Sequence, residues 1–446
     1  MKTRLRFAPS PTGNLHVGNA RTALVNYLFC RSISGEMMLR IDDTDEERSK
    51  KEFEENIKSD LNWMGIFWEM TDRQSTRIKN YNDALNKLFE SGRAYRCYET
   101  QEELSLKRKA QLMSGKPPVY DRQGLSLQQK DHEKFANEGK LPHWRFKLTD
   151  DEVVWDDLIR GKCTYDMRSL SDPVIMREDG RPIYTLASVV DDIDHEITHI
   201  IRGEDHVTNS AAQIQLFKAL GIQPPSLGHL SLIAGSEGEG LSKRLGSLSL
   251  GQLKQEGLES NALTSLLAKL GTSDPISFIE NIEGLIKDFD LKKFSRNTAK
   301  FDMKDLYLLN KKSIQSMSYQ EALKRLKLID LDNINEEFWN TVSGNLNNLK
   351  EIKLWWNVVF GEIKPIIDNR NLIDIAIKLF PNETLDQTTW GSWCKIISSE
   401  SDFKGKELFI SLRKALTSYD YGPELSKLLP MIGKEKILSR LSGNVS

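Results

Sequence analysis

Polar and apolar residues alternate over Arg4-Leu5-Arg6-Phe7, which predicts a short strand. Pro9-Ser10-Pro11-Thr12-Gly13 ends it, because two prolines and a glycine cannot continue a ladder. Asn14-Leu15-His16-Val17-Gly18-Asn19 then leads into an apolar-periodic run, Ala20 to Phe29, that predicts a helix. Glu36 to Ile41 reads as a second strand running into Asp42-Asp43-Thr44-Asp45. Helical spacing follows from Glu46 to Leu61 and again from Arg77 to Ser91, where Tyr81, Leu85, Leu88 and Phe89 share one face and Gly92 stops the run.

The pattern changes near Ala94. A strand over 93–98, a charged helix from Thr100 to Met113 and a polar stretch up to Pro142 read as an insertion, and further strands follow at 143–148 and 153–161. Ile197 to His206 predicts a buried strand ending in polar residues, Asn209 to Leu220 a helix, and Leu227 to Ala234 a last strand. A glycine-rich stretch, Gly235 to Gly240, precedes Leu241-Ser242-Lys243-Arg244. Beyond Ser247 the pattern is helical, including Asn261 to Leu270 and a helix within Phe294 to Asn310. From Lys311 to Ser446 only helices and short loops are readable.

Composition narrows the class. The 446 residues, 39% hydrophobic and 28% charged, suffice for two to four domains with real cores. A net charge of −2 announces no whole-chain attraction to nucleic acid, although local basic faces remain compatible with it. No run of about 18 apolar residues suggests a membrane span, and no charged segment followed by an apolar core suggests a signal peptide. The four cysteines, Cys30, Cys97, Cys163 and Cys394, are scattered, with no CxxC pair. A cytoplasmic chain with reduced thiols is expected.

Candidate chemistry gathers where strands end. A strand, a rigid turn and a helix with an early glycine make a nucleotide-site plan, in which helix N–H groups meet a phosphate and Gly18 admits an adenine or ribose. Asp42 lies at the end of a strand, where ligands bind in α/β sheets. Asp43 and Asp45 could equally start the next helix, with Thr44 or Asp45 as its cap. Arg202 directly follows an apolar strand, a costly place for a cation unless it faces an anion. Its planar fork suits a carboxylate, and with Arg6 it offers two cations to a dicarboxylic amino acid. The plainer alternative is an internal salt bridge to Glu204 or Asp205. Tyr184 reads as a core or rim aromatic, and His195, His199 and His229 as structural.

RFAPSPTGNLHVGNAR resembles the first nucleotide motif of class I aminoacyl-tRNA synthetases in the form used by glutamyl-tRNA synthetases. The resemblance continues through Arg40-Ile41-Asp42-Asp43-Thr44-Asp45, through Tyr184 to Asp192 (YTLASVVDD), and through GLSKR at 240–244, a form of the KMSKS motif. It closes on LRKALT at 412–417 and Gly422-Pro423. It implies an α/β fold: a Rossmann-like catalytic domain split over 1–93 and 174–235, and an inserted α+β acceptor-binding subdomain at 94–173. A KMSKS-like and stem-contact region at 236–310 and an all-α anticodon-binding region at 311–446 would complete it.

The same resemblance implies that Arg6, Ser10, Asp42, Tyr184 and Arg202 hold glutamate. Ala8, His16, Gly18, Asn19, Asp205, His206, Leu241, Ser242, Lys243 and Arg244 would contact ATP, with His16 and Lys243 stabilising charge on its phosphates and Mg²⁺ assisting. Asp42 stands where a glutamate is commoner in the family, and Gly240 where a lysine often stands. Some relatives hold zinc in the insertion; Cys97 with Glu99, and Tyr120-Asp121-Arg122 without a cysteine, argue for no structural zinc. The expected partner is glutamate tRNA, the sequence leaving open whether glutamine tRNA is a second acceptor, and a monomer is expected. A glutamyl-queuosine ligase would end before the helical C-terminal region, and a glutaminyl-tRNA synthetase would carry a β-barrel there. A non-catalytic paralogue is disfavoured by the intact His16, Gly18, Ser242 and Lys243.

Overall fold

The computed structural model describes residues 2–235, 249–329, 331 and 333–446. The chain forms two compact units, 1–253 with 263–303, and 254–262 with 304–446. The stretch assigned from sequence to a separate 236–310 region is shared between them.

In the first unit, β1 (Arg4–Phe7), β2 (Glu36–Ile41) and β3 (Met70–Arg73) form a parallel three-stranded sheet in that order. Parallel neighbours need a crossover, and α1 (Val17–Ser32) and α2 (Lys51–Trp63) supply the two required here. Leu5, Met37, Leu39 and Ile41 are fully buried, as expected for a parallel sheet covered on both faces. The second helix starts later than the spacing predicts. Asp43 is drawn away to accept from the backbone and hydroxyl of Ser75, and Asp45 turns back to Arg48, so neither caps that helix.

After α3 (Ile78–Glu90) the insertion begins. β4 (Ala94–Cys97), β5 (His143–Phe146) and β8 (Val174–Met176) form an antiparallel sheet. The helices Gln101–Met113 and Gln129–Asn137 lie between β4 and β5 in sequence. Because β8 pairs with β5, the sequence division at 173/174 falls at the edge of this sheet. β6 (Glu152–Asp157) and β7 (Gly161–Asp166) form a separate hairpin.

The chain then returns through the helix Tyr184–Asp194 to β9 (His199–Gly203), the helix Val207–Ala219 and β10 (Ser226–Leu230). β9 and β10 are parallel, with Arg202 opposite His229. The Thr198 amide donates to the Arg4 carbonyl at 2.9 Å, which sets the start of β9 beside β1. The expected strand over 227–234 is two strands, since Ile233–Gly235 pairs instead with Ala299–Phe301.

The second unit is helical around a core that includes Trp339, Trp355 and Trp393, each buried. Trp355 is therefore closed to base stacking, while Trp356 is half-buried against Phe338 and Phe360. Gly422 lies flat on the Trp355 ring at φ +129°, where a Cβ would stand 1.9 Å from Cη2. Arg413 clamps the same turn by donating to the Pro423 carbonyl at 3.0 Å. Gly422→Ala is expected to destabilise this unit by about 2–4 kcal/mol through backbone strain and overpacking. Urea unfolding followed by tryptophan fluorescence checks it.

Candidate active site

His16 is the residue before α1, and its Nδ1 accepts from the amides of Gly18 (3.1 Å) and Asn19 (3.4 Å). Two of the amides expected to face a phosphate are thus taken by this ring. A Cβ on Gly18 would come 2.9 Å from His16 Cε1, so the glycine is required by the folded-back imidazole itself. The ring is exposed, yet surrounding protein desolvates it enough to lower its pKa. It is accordingly neutral near pH 7, and with Nδ1 serving as acceptor its proton sits on Nε2. Ser249, where the chain re-enters the described residues, bridges back to His16, and Leu250 donates to Leu15. Leu241, Ser242, Lys243 and Arg244 lie outside the described residues.

The His206 pKa is lowered by burial and then by the charge of Arg202, with smaller contributions from His229 and Arg6 against that of Asp205, so both guanidinium charges are felt at this ring. Arg6 is buried and held bidentate by Asp192, at 3.0 and 3.3 Å. That leaves its Nη1 without a protein partner among the described residues. Asp192 also accepts from Arg40 at 2.8 Å, and Arg40 forks onto Asp42 at 2.7 and 3.1 Å. Asp191 beside them accepts from Gln74, Arg77 and Tyr81. Burial raises the Asp42 carboxyl to about 6 against the opposing pull of Arg40.

Arg202 is buried but has no carboxylate partner among the described residues. Its Nη1 donates to the Tyr184 hydroxyl at 2.7 Å, and Nη2 donates to Ser210 (2.6 Å) and Gln213 (2.7 Å). The alternative of a salt bridge to Glu204 or Asp205 is not what forms: Glu204 pairs with Arg160, and Asp205 Oδ2 lies 3.7 Å from His206 Nε2. Tyr184 opens its helix and packs its ring against His206, with centroids 5.3 Å apart. Ser10 is exposed and Ala8 half-buried in the turn after β1.

One cluster was not assembled from sequence. Cys97, Glu99 and His143 bring ligand atoms within 4.8 Å of one another, His143 arriving from the neighbouring strand β5. The Tyr120 hydroxyl donates to Glu99 at 2.8 Å, the Lys107 ammonium lies 3.4 Å from the same carboxylate, and burial raises the Cys97 thiol to about 11.

Residues 2–308 match the family model described as "tRNA synthetases class I (E and Q), catalytic domain". The chain belongs to this family. A glutamate–tRNA ligase 1 of Maricaulis maris is 47% identical over 445 residues, spanning all of both chains. A glutamate–tRNA ligase of Azospirillum brasilense is 46% identical over 450 residues, again over all of both. A glutamate tRNA ligase from Elizabethkingia meningosepticum, crystallised in complex with its amino acid, superposes with a TM-score of 0.86 at 27% identity, covering 99% of each chain. The similarity therefore extends through the helical second unit.

Within this synthetase, Asp192 is the counter-ion of two buried guanidinium groups. Asp192→Ala strands Arg6, while Arg40 keeps its fork onto Asp42, and the change is expected to lower stability by about 3–5 kcal/mol. His16→Ala, which removes only a helix cap, should lower it by about 1 kcal/mol. Parallel urea titrations of the two variants give the comparison.

Proposed function

We propose that the enzyme attaches L-glutamate to tRNA in two steps, with the amino acid held in the pocket between Arg6 and Arg202. One observation carries the pocket assignment: Arg202 is a buried cation with no carboxylate partner among the described residues, and the charge of a second buried arginine with an unused Nη1, Arg6, is felt at the same His206 ring. The α-carboxylate must stay free to react, so the two arginines hold the side-chain carboxylate, whose planar oxygens fit guanidinium donors. Asp42, charged above its raised pKa, takes the α-ammonium group. Ser10 and Tyr184 complete the amino-acid contacts.

In the first step an α-carboxylate oxygen attacks the α-phosphorus of ATP and pyrophosphate leaves, giving glutamyl-adenylate. In the second, the 2′-hydroxyl of the terminal adenosine of tRNA attacks the acyl carbon and AMP leaves. No side-chain nucleophile is needed, so catalysis rests on positioning and on charges aimed at the phosphates. His16 offers the Nε2–H left over from its capping role, and Lys243 adds a full positive charge. The Ser249–His16 bridge supports this pairing, since it ties the described residue following the lysine's segment to the histidine. Ala8, Gly18, Asn19, Asp205, His206, Leu241, Ser242 and Arg244 line the rest of the ATP site. Magnesium bound to ATP would neutralise phosphate charge; among the described residues the only cluster of three possible ligands is in the insertion, so the ion would be held by the phosphates.

The insertion cluster is read as no zinc site, on the support of the Tyr120 and Lys107 donors that already satisfy Glu99 and of the Tyr120 contact to Cys97, while His143 Nε2 is left buried without a hydrogen-bond partner among the described residues. The acceptor end of tRNA would be met by the insertion and the anticodon by the helical second unit. Whether glutamine tRNA is a second acceptor is decided by charging purified glutamate and glutamine tRNAs side by side.

Lys243→Ala is expected to slow glutamate-dependent ATP–pyrophosphate exchange by about a hundredfold or more, through loss of one preorganised charge. The assay includes tRNA, and a rate equal to wild type would remove Lys243 from the mechanism.

A further inference from the structure

Arg202 presents an electrostatic problem that its direct contacts leave unsolved. A guanidinium this deeply buried needs negative charge nearby, yet a carboxylate bonded directly to it would compete with the carboxylate of the substrate. The chain of contacts behind it offers an answer. Ser210 Oγ accepts from Arg202 Nη2 at 2.6 Å and lies 2.8 Å from His229 Nε2. His229 Nδ1 in turn lies 2.5 Å from Asp157 Oδ2. Ser210, His229 and Asp157 are all buried and come from three different elements, the helix Val207–Ala219, β10 and the end of β6.

The direction of every bond follows from the two ends. Asp157 is ionised, its pKa lowered to about 2: burial opposes this but is outweighed by His229 and by backbone amides. A carboxylate only accepts, so His229 Nδ1 donates to it. Burial also lowers the His229 pKa, so the ring is neutral and its Nε2 is an acceptor; the single Ser210 proton has two acceptors in reach, the His206 carbonyl at 3.2 Å and His229 Nε2 at 2.8 Å, and the shorter contact takes it. Ser210 then has its oxygen lone pairs turned to Arg202, which can only donate. All donors point one way, from Arg202 through Ser210 and His229 to Asp157.

A plainer role exists for part of this. Asp157 Oδ1 accepts from the amides of Ile159, Arg160 and His229, which fixes the turn of the β6–β7 hairpin. Oδ2 takes no part in that turn: it accepts a long bond from Trp155 Nε1 at 3.4 Å and a short one from the ring of His229. The register of the sheet adds a second point. His229 lies directly across from Arg202 in the β9–β10 pair, so the imidazole stands beside the arginine it serves.

We propose that Asp157, His229 and Ser210 are positioning residues that orient Arg202 and supply its counter-charge at a distance, keeping the guanidinium available for the side-chain carboxylate of glutamate. This rests on the reading of Arg202 as a glutamate ligand given above. The relay tells the enzyme's amino-acid step apart from its nucleotide step, because none of its members is among the residues assigned to ATP.

The test measures KM for glutamate, KM for ATP and kcat in tRNA-dependent ATP–pyrophosphate exchange with the full-length enzyme. The variants are Ser210→Ala, His229→Asn, their double mutant and Arg202→Gln, each checked by thermal melting. Ser210→Ala is expected to raise the glutamate KM about tenfold, the size of one lost hydrogen bond to a charged group, with the ATP KM within about twofold of wild type. His229→Asn keeps a donor toward Asp157 but loses the acceptor for Ser210, and should raise the glutamate KM similarly. In the double mutant the second change should add less than about twofold, since both act along one path. A glutamate KM unchanged in Ser210→Ala, equal rises in both KM values, or full additivity in the double mutant would each overturn the relay while leaving the pocket intact. If His229→Asn fails to fold, Ser210→Ala alone decides by the same split. A silent Arg202→Gln would remove Arg202 from glutamate binding and the relay with it, an outcome distinct from failure of the relay alone.

Discussion

A pocket for a dicarboxylic amino acid must keep positive charge dry and uncommitted, and these two demands pull against each other. Removing a guanidinium from water is costly unless a carboxylate compensates it, but full compensation leaves nothing for the ligand. This chain resolves the conflict in two ways. Arg6 and Arg40 share Asp192, so one carboxylate holds two cations and Arg6 keeps an unused edge. Arg202 bonds Ser210 instead of a carboxylate, and under the proposed relay its counter-charge is that of Asp157, reached through Ser210 and His229. The β1–β2 pairing, the return of β9 beside β1 and the docking of β6 near β10 all bring these groups to one place.

The nucleotide side follows a different logic. The start of α1 does not present a bare row of amides, because His16 folds back and consumes two of them. What it gains is a fixed tautomer. With Nδ1 accepting, the ring has one donor left, and that donor is the one a phosphate oxygen can take. Gly18 makes this fold-back sterically permissible, so the histidine and the glycine of the motif act as one device.

Much of this was legible in the chain. The alternation at Arg4 to Phe7, the proline break and the following helix gave the nucleotide site its place, and an arginine directly after the apolar run 197–201 marked the amino-acid site. The elements that escaped were those set by distant partners. Asp192 meets Arg6 across 186 positions and His229 meets Asp157 across 72, and neither separation leaves a local pattern. His229 read as structural because no partner for it is visible along the chain; its contacts with Ser210 and Asp157 appear only in the fold. Asp43 and Asp45 read as the start of a helix capped by Thr44 or Asp45, but Asp43 accepts from Ser75 and Arg73, Asp45 from Arg48, and the helix begins at Lys51. Trp355 and Trp356 are adjacent, and only packing shows that the first faces the core.

A crystal structure of the enzyme with a non-hydrolysable glutamyl-adenylate analogue tests the central claim most directly. The account places the side-chain carboxylate against Arg6 Nη1 and Arg202, the α-ammonium against Asp42, and leaves the Arg202–Ser210–His229–Asp157 chain of bonds unbroken. A side-chain carboxylate bound to other cations, or an Arg202 that abandons Ser210 to reach the ligand, would contradict it.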